Sequence, residues 1–168
     1  MKKSIQTLKH KTQNMKRPTR HKSFQSVSVQ QTKKRAAELG RRILQGPLGN
    51  HALVIALRGN LGSGKTTFVQ GLAREFGIKE KVLSPTFLII KRFHVSRSRF
   101  REFYHIDCYR LKSAKELLGL EWKEIIQNPN NIVAVEWADH VKSIIPKHAL
   151  WISFSHGGRE KRTIRFGL

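Results

Sequence analysis

The octapeptide Gly59-Asn60-Leu61-Gly62-Ser63-Gly64-Lys65-Thr66 constrains this chain more than any other feature. It satisfies G-x-x-x-x-G-K-[ST], and its flanks suit the pattern. Before it, Leu53-Val54-Ile55-Ala56-Leu57 is an apolar run that predicts a buried strand. After it, Phe68, Val69, Leu72, Ala73 and Phe76 recur at helical spacing, and Gly77 is a natural stop. Strand, glycine-rich loop and helix in this order predict an α/β fold of the P-loop type. The plain alternative, a glycine-rich turn before an ordinary helix, does not account for the strand.

Phosphate chemistry needs these residue types. Glycines let the loop wrap until successive backbone N–H groups point inward as an anion nest. The following helix adds its free N–H groups and the positive end of its dipole. Gly59, Gly62, Ser63, Gly64, Lys65, Thr66 and Thr67 are therefore the expected nucleotide contacts. Lys65 would reach the β- and γ-phosphates, and the Thr66 hydroxyl would ligate Mg²⁺.

At 168 residues the chain suits one domain with a substantial core. A single cysteine, Cys108, excludes an internal disulfide and an all-cysteine zinc site. No apolar run approaches a membrane span, and the N-terminus lacks the apolar stretch of a secretory signal. The expectation is a cytoplasmic protein with no membrane partner.

The net charge of +22 asks for a partner. Residues 1–35 hold eleven Lys and Arg and no acid, and residues 36–168 still carry 22 basic against 11 acidic side chains. Such a balance points to a polyanion, most simply RNA. A generally basic proteome is the alternative. Residues 1–28 read as a disordered basic extension, interrupted by Pro18, and residues 29–168 as a single P-loop ATPase domain. A transit peptide competes for the extension, although lysine outnumbers arginine in it.

Thr32 is placed as the cap of a helix through Ala36, Ala37, Leu39, Ile43 and Leu44, ended by Gly46-Pro47. Ser84-Pro85-Thr86 breaks the chain before an expected strand, Phe87-Leu88-Ile89-Ile90. A basic turn with Arg97, Arg99 and Arg101 leads to a returning strand from Phe103 to Tyr109. Short helices are expected at Ala114–Leu118 and Trp122–Ile126, and a turn at Asn128-Pro129-Asn130-Asn131. Three more strands are expected: Ile132–Val135, Leu150–Phe154 and Thr163–Phe166.

A P-loop needs acids for Mg²⁺ and water. Glu136 directly follows a buried strand, the usual place for such an acid. Asp107 sits in a strand whose alternation sets His105 and Asp107 on one face and Ile106 and Cys108 on the other. The plainer alternatives are an exposed strand-end acid for Glu136 and a structural partner of Arg110 for Asp107. Ser84-Pro85-Thr86 is positioned like a switch segment with two hydroxyls, or is a simple turn. Trp137 is a core aromatic or a lid, and Cys108 a small core residue.

These residues resemble the TsaE (YjeE-like) family, the bacterial ATPase of tRNA threonylcarbamoyladenosine biosynthesis. The resemblance spans about residues 29–146. It rests on the loop 59–67, on Ser84-Pro85-Thr86-Phe87, on His105-Ile106-Asp107-Cys108-Tyr109-Arg110-Leu111 and on Val135-Glu136-Trp137-Ala138. It implies a three-layer P-loop fold, with a small mixed sheet between helices. It implies Mg²⁺-dependent ATP binding and slow hydrolysis, in support of TsaB-like and TsaD-like proteins that modify ANN-decoding tRNAs. By motif, Thr66 and Glu136 become the metal ligands and Asp107 joins Glu136 as a catalytic acid. Thr32 matches a position near the nucleotide base. Asn60 departs from the family's usual Asp, and the basic tail and arginine-rich turn lie outside the family pattern. A small P-loop kinase, with Arg97, Arg99 and Arg101 as its lid, and an RNA-binding protein with a regulatory P-loop remain the competing classes.

Overall fold

The computed structural model describes residues 22–96, 98–158 and 161–167. Its centre is a seven-stranded mixed sheet of β1 (Lys22–Ser26), β2 (Leu53–Arg58), β3 (Ile90–His94), β4 (Glu102–Asp107), β5 (Asn131–Glu136), β6 (Leu150–His156) and β7 (Arg162–Gly167). The order across the sheet is β1-β7-β6-β2-β5-β4-β3. β6, β2, β5 and β4 run parallel, and β1, β7 and β3 add antiparallel edges. Parallel strands must be covered on both faces, which explains the near-continuous apolar runs of β2 and β5.

On one face lie α1 (Val29–Gln45) and α2 (Lys65–Glu75), with Phe68, Val69, Leu72 and Phe76 packed on Ile55, Leu57, Phe103 and Ile152. The other face is covered by α3 (Ala114–Leu118), α4 (Trp122–Gln127) and a 3-10 helix over Ala138–Ile144, through Leu117, Trp122, Ile125 and Val141. The result is the expected α/β three-layer architecture with a mixed sheet. The two long helices touch through small residues. A methyl group on Gly71 would lie 2.6 Å from the Lys33 carbonyl and 2.7 Å from Ala36 Cβ. Any side chain there would push α1 off the sheet.

Three expectations change. Ser28, not Thr32, caps α1: its hydroxyl accepts from Gln31 N at 3.1 Å, and Thr32 is buried in the first turn. The folded part begins before residue 29, because Lys22–Ser26 pairs along β7; residues 1–21 of the basic extension lie outside the described residues. Phe87 to Ile89 is no strand. The Pro85 carbonyl accepts from both Leu88 N and Ile89 N, which turns the chain and leaves Phe87 and Leu88 exposed. The strand starts at Ile90 and forms the hairpin with β4.

Candidate functional site

The P-loop joins the end of β2 to the start of α2. Gly59, Gly62 and Gly64 take left-handed φ values of 142°, 73° and 100°. A side chain on Gly59 would collide with the Phe154 carbonyl. Gly64 is the N-cap of α2 and offers no capping side chain, so the first-turn N–H groups stay free for an anion. Ser63 Oγ is buried in the loop without a partner among the described residues.

Lys65 is buried in this cradle. Its Nζ donates to the carbonyls of Gly59 and Asn60 at 2.6 and 3.0 Å and lies 3.8 Å from the centre of the Trp137 ring. Burial pushes its pKa below the usual lysine value, against the opposing pull of Glu136, Asp107 and Asp139. Trp137 takes a left-handed φ of 56° just after Glu136 and stacks with Tyr109 at 5.0 Å. It is half-buried, packed against the edge of the core, and its ring is the wall that Lys65 rests on. Such backbone strain, on the order of 1–3 kcal/mol per residue, persists where the surroundings enforce it and gathers at functional sites.

The two acids meet at adjacent strand ends. Asp107 of β4 and Glu136 of β5 are register partners, and Glu136 is paired with Leu57 of β2, beside the loop. Glu136 is buried, not exposed. Its Oε2 accepts from Thr66 Oγ1 at 2.9 Å, and its Oε1 is 2.8 Å from His105 Nε2. His105, fully buried, must carry its proton on Nε2 to donate there, which leaves Nδ1 without a partner. The imidazole thus fixes one carboxylate oxygen and turns the other toward the P-loop hydroxyl.

Asp107 does not partner Arg110. Its Oδ2 accepts from Ser84 Oγ and, at 2.7 Å, from Thr86 Oγ1, and its Oδ1 accepts from Tyr109 N at 2.9 Å. Both hydroxyls of the Ser84-Pro85-Thr86 segment therefore end on one carboxylate, so the segment is tied to the site. Cys108 beside it is a buried core thiol, pushed up to about 12 by burial and the nearby acids.

The donor set fits the implied group. Among the described residues no group of three His, Cys, Asp or Glu side chains is arranged to hold a metal ion by itself. Magnesium does not need one: it is held through one or two carboxylates plus phosphates and keeps several waters. A threonine hydroxyl against a buried glutamate, with a second carboxylate on the next strand, matches that requirement. Thr67 follows in the first turn of α2.

Thr32 is not open to a ligand. It is fully buried, its hydroxyl 2.8 Å from Ser26 Oγ and 3.3 Å from the donor Arg162 Nη1. Sequence reasoning missed Arg162 and His156, which sit against Gly64 and Gly62 from the β6–β7 hairpin. No local motif signals them. The arginine-rich turn, whose residue 97 lies outside the described residues, is at the far end of the sheet. It connects β3 to the start of β4, whereas Asp107 ends β4. Arg99 there donates to the Ile43 carbonyl at 2.9 Å. It cannot close over the P-loop.

Comparison with known proteins agrees with this geometry. The family described as "Threonylcarbamoyl adenosine biosynthesis protein TsaE" matches residues 26–164. The tRNA threonylcarbamoyladenosine biosynthesis protein TsaE of Treponema pallidum is 33% identical over 138 residues, 80% of this chain and 94% of that protein. The Bacillus subtilis protein of the same name is 38% identical over 113 residues, 67% and 68% of the two chains. The crystal structure of Bacillus subtilis YdiB superposes with a TM-score of 0.64 at 29% identity, covering 88% of this chain and 84% of that one. The loop, the two acids and the match over nearly the whole folded chain lead to one conclusion: this protein belongs to the TsaE family.

Proposed function

We propose that this protein binds Mg²⁺ and ATP and hydrolyses ATP as an accessory subunit of the machinery that forms N6-threonylcarbamoyladenosine in ANN-decoding tRNAs, working with TsaB-like and TsaD-like proteins in the cytoplasm. The observation that carries this reading is the Thr66–Glu136 contact at the mouth of a P-loop. Bound Mg²⁺ supplies charge neutralisation on the phosphates. Thr66 and Glu136 would hold it. Lys65 would leave its loop carbonyls to meet phosphate, and Asp107 would act with Glu136 to orient the attacking water. Because Asp107 also holds Ser84 and Thr86, phosphate-dependent changes at the acid would pass to that segment.

A kinase reading loses support from the position of the arginine-rich turn. The test is to recover partners from the source cell and to incubate the assembled proteins with ATP and candidate acceptors. The proposal expects TsaB-like and TsaD-like proteins in the pull-down and only ADP and phosphate as nucleotide products. A phosphorylated acceptor would favour the kinase.

Direct tRNA contact is part of the proposal. Lys33, Arg74, Lys79 and Lys81 line an open groove beside α1 and α2, with Glu80 its one acid. Residues 1–21 add seven Lys and Arg. Deleting residues 2–21, which spares β1, should flatten the salt dependence of tRNA binding by about 0.9 units of slope per lost phosphate contact on duplex regions. Superimposable binding curves across a salt series would remove the tail from RNA recognition.

A further inference from the structure

The β6–β7 hairpin brings two basic side chains to the P-loop that the loop motif does not contain. His156 and Arg162 are register partners at the end next to its turn. A methyl group on Gly62 would lie 3.5 Å from His156 Nε2. One on Gly64 would lie 3.2 Å from Arg162 Cδ, 3.6 Å from Nη1 and 3.7 Å from Nε. The guanidinium is thus laid across the N-cap of α2.

That is an unfavourable place for a lone cation. The helix N-terminus is positive, and Lys65 is already there. Lys65 is balanced by Glu136 and Asp107. Among the described residues the Arg162 side chain has no carboxylate within salt-bridge distance, and its one hydrogen bond is to the neutral Thr32 hydroxyl at 3.3 Å. Its Nε is buried and without a partner. Arg99 also has a buried, unpartnered Nε, but its setting is the reverse. It lies against the C-terminal turn of α1, where Nη2 meets the Ile43 carbonyl and the helix dipole favours a cation. The same dipole that stabilises Arg99 opposes Arg162 until an anion arrives.

We propose that Arg162 is a phosphate ligand of the bound nucleotide, held over the loop by Thr32. This rests on the reading that the P-loop binds ATP. The fork of a guanidinium suits phosphate oxygens, and its charge does not titrate. Thr32 is then a positioning residue: its buried hydroxyl, fixed by Ser26 and by the Ser28 carbonyl, accepts from Nη1 and leaves Nε and the rest of the fork for phosphate.

The experiment is calorimetric titration of ATP and ADP into the wild type and into Arg162→Gln, Arg162→Lys, Thr32→Val and Lys65→Ala, each with a thermal melt. Arg162→Gln should lose about tenfold or more in affinity for both nucleotides, the usual worth of a hydrogen bond to a charged group, with its melting temperature kept. Thr32→Val should lose less. Unchanged affinity in Arg162→Gln, or a lower melting temperature with unchanged affinity, overturns the proposal and leaves Arg162 a strut between β7 and α1. Should Arg162→Gln not fold, Arg162→Lys decides: it keeps the charge without the fork, and wild-type affinity would overturn the proposal. If the wild type binds no ATP, or Lys65→Ala binds as well as wild type, the nucleotide reading itself fails, which separates the two failures.

Discussion

The two ends of the sheet carry opposite chemistry. At the carboxyl ends of β2, β4 and β5, charged and polar side chains are buried and answer one another: Lys65, His105, Asp107 and Glu136 are all buried, and Thr66 joins them. At the amino ends, Arg101 is exposed, and Arg99 straps the turn to the Ile43 carbonyl in the last turn of α1. Burying charge is unfavourable unless partners compensate, so evolution rarely leaves such a cluster without a use. The difference teaches that basic residues in this chain are not equivalent. The count of arginines in the 97–101 turn drew attention to the wrong end of the molecule for phosphate chemistry.

The largest effect that would break this contrast is at Lys65. Lys65→Ala should lower ATP affinity by about a hundredfold or more, since a charge-assisted phosphate contact disappears from a buried cradle. Its melting temperature should hold or rise. The lysine pKa is lowered by burial, so below that pKa the charged form destabilises the fold, and removing it relieves this. Equal ATP affinity by calorimetry would contradict the assignment.

Next come the acids. Glu136→Ala and Asp107→Ala should each slow ATP hydrolysis by about two to three orders of magnitude in the presence of partners, more than any loss of folded protein explains. Hydrolysis at the wild-type rate in both would dissolve the special status of this end. The smallest effect belongs to the other end. Arg99→Ala should cost about 1 kcal/mol of stability through one lost bond to a helix carbonyl, and leave nucleotide affinity unchanged. A weaker ATP titration in that variant would show that the two ends are coupled.

What the sequence revealed follows from range. The loop and α2 are contiguous, so glycine placement and helical periodicity identified them together. Glu136 was visible because a fully apolar strand stops at it. Thr32 misled because it precedes the apolar periodicity, while Ser28 lies earlier and closes the helix by reaching Gln31. Phe87-Leu88-Ile89-Ile90 misled because an apolar run reads as a strand. Only the Pro85 carbonyl, accepting from two successive amides, shows that it turns. β1 has a single apolar residue, Phe24, and depends on pairing with β7 at the other end of the chain. Arg162 and His156 reach the P-loop by the same distant hairpin, and no local pattern records that.

The central claim is that Thr66 and Glu136 form a magnesium site at the mouth of a nucleotide-binding loop. It is tested most directly by titrating ATP into the wild type and Glu136→Gln, each with and without Mg²⁺. Mg²⁺ should strengthen ATP binding to the wild type and do so much less in Glu136→Gln, with affinity in the absence of metal similar in the two. An equal strengthening by Mg²⁺ in both proteins would contradict the account.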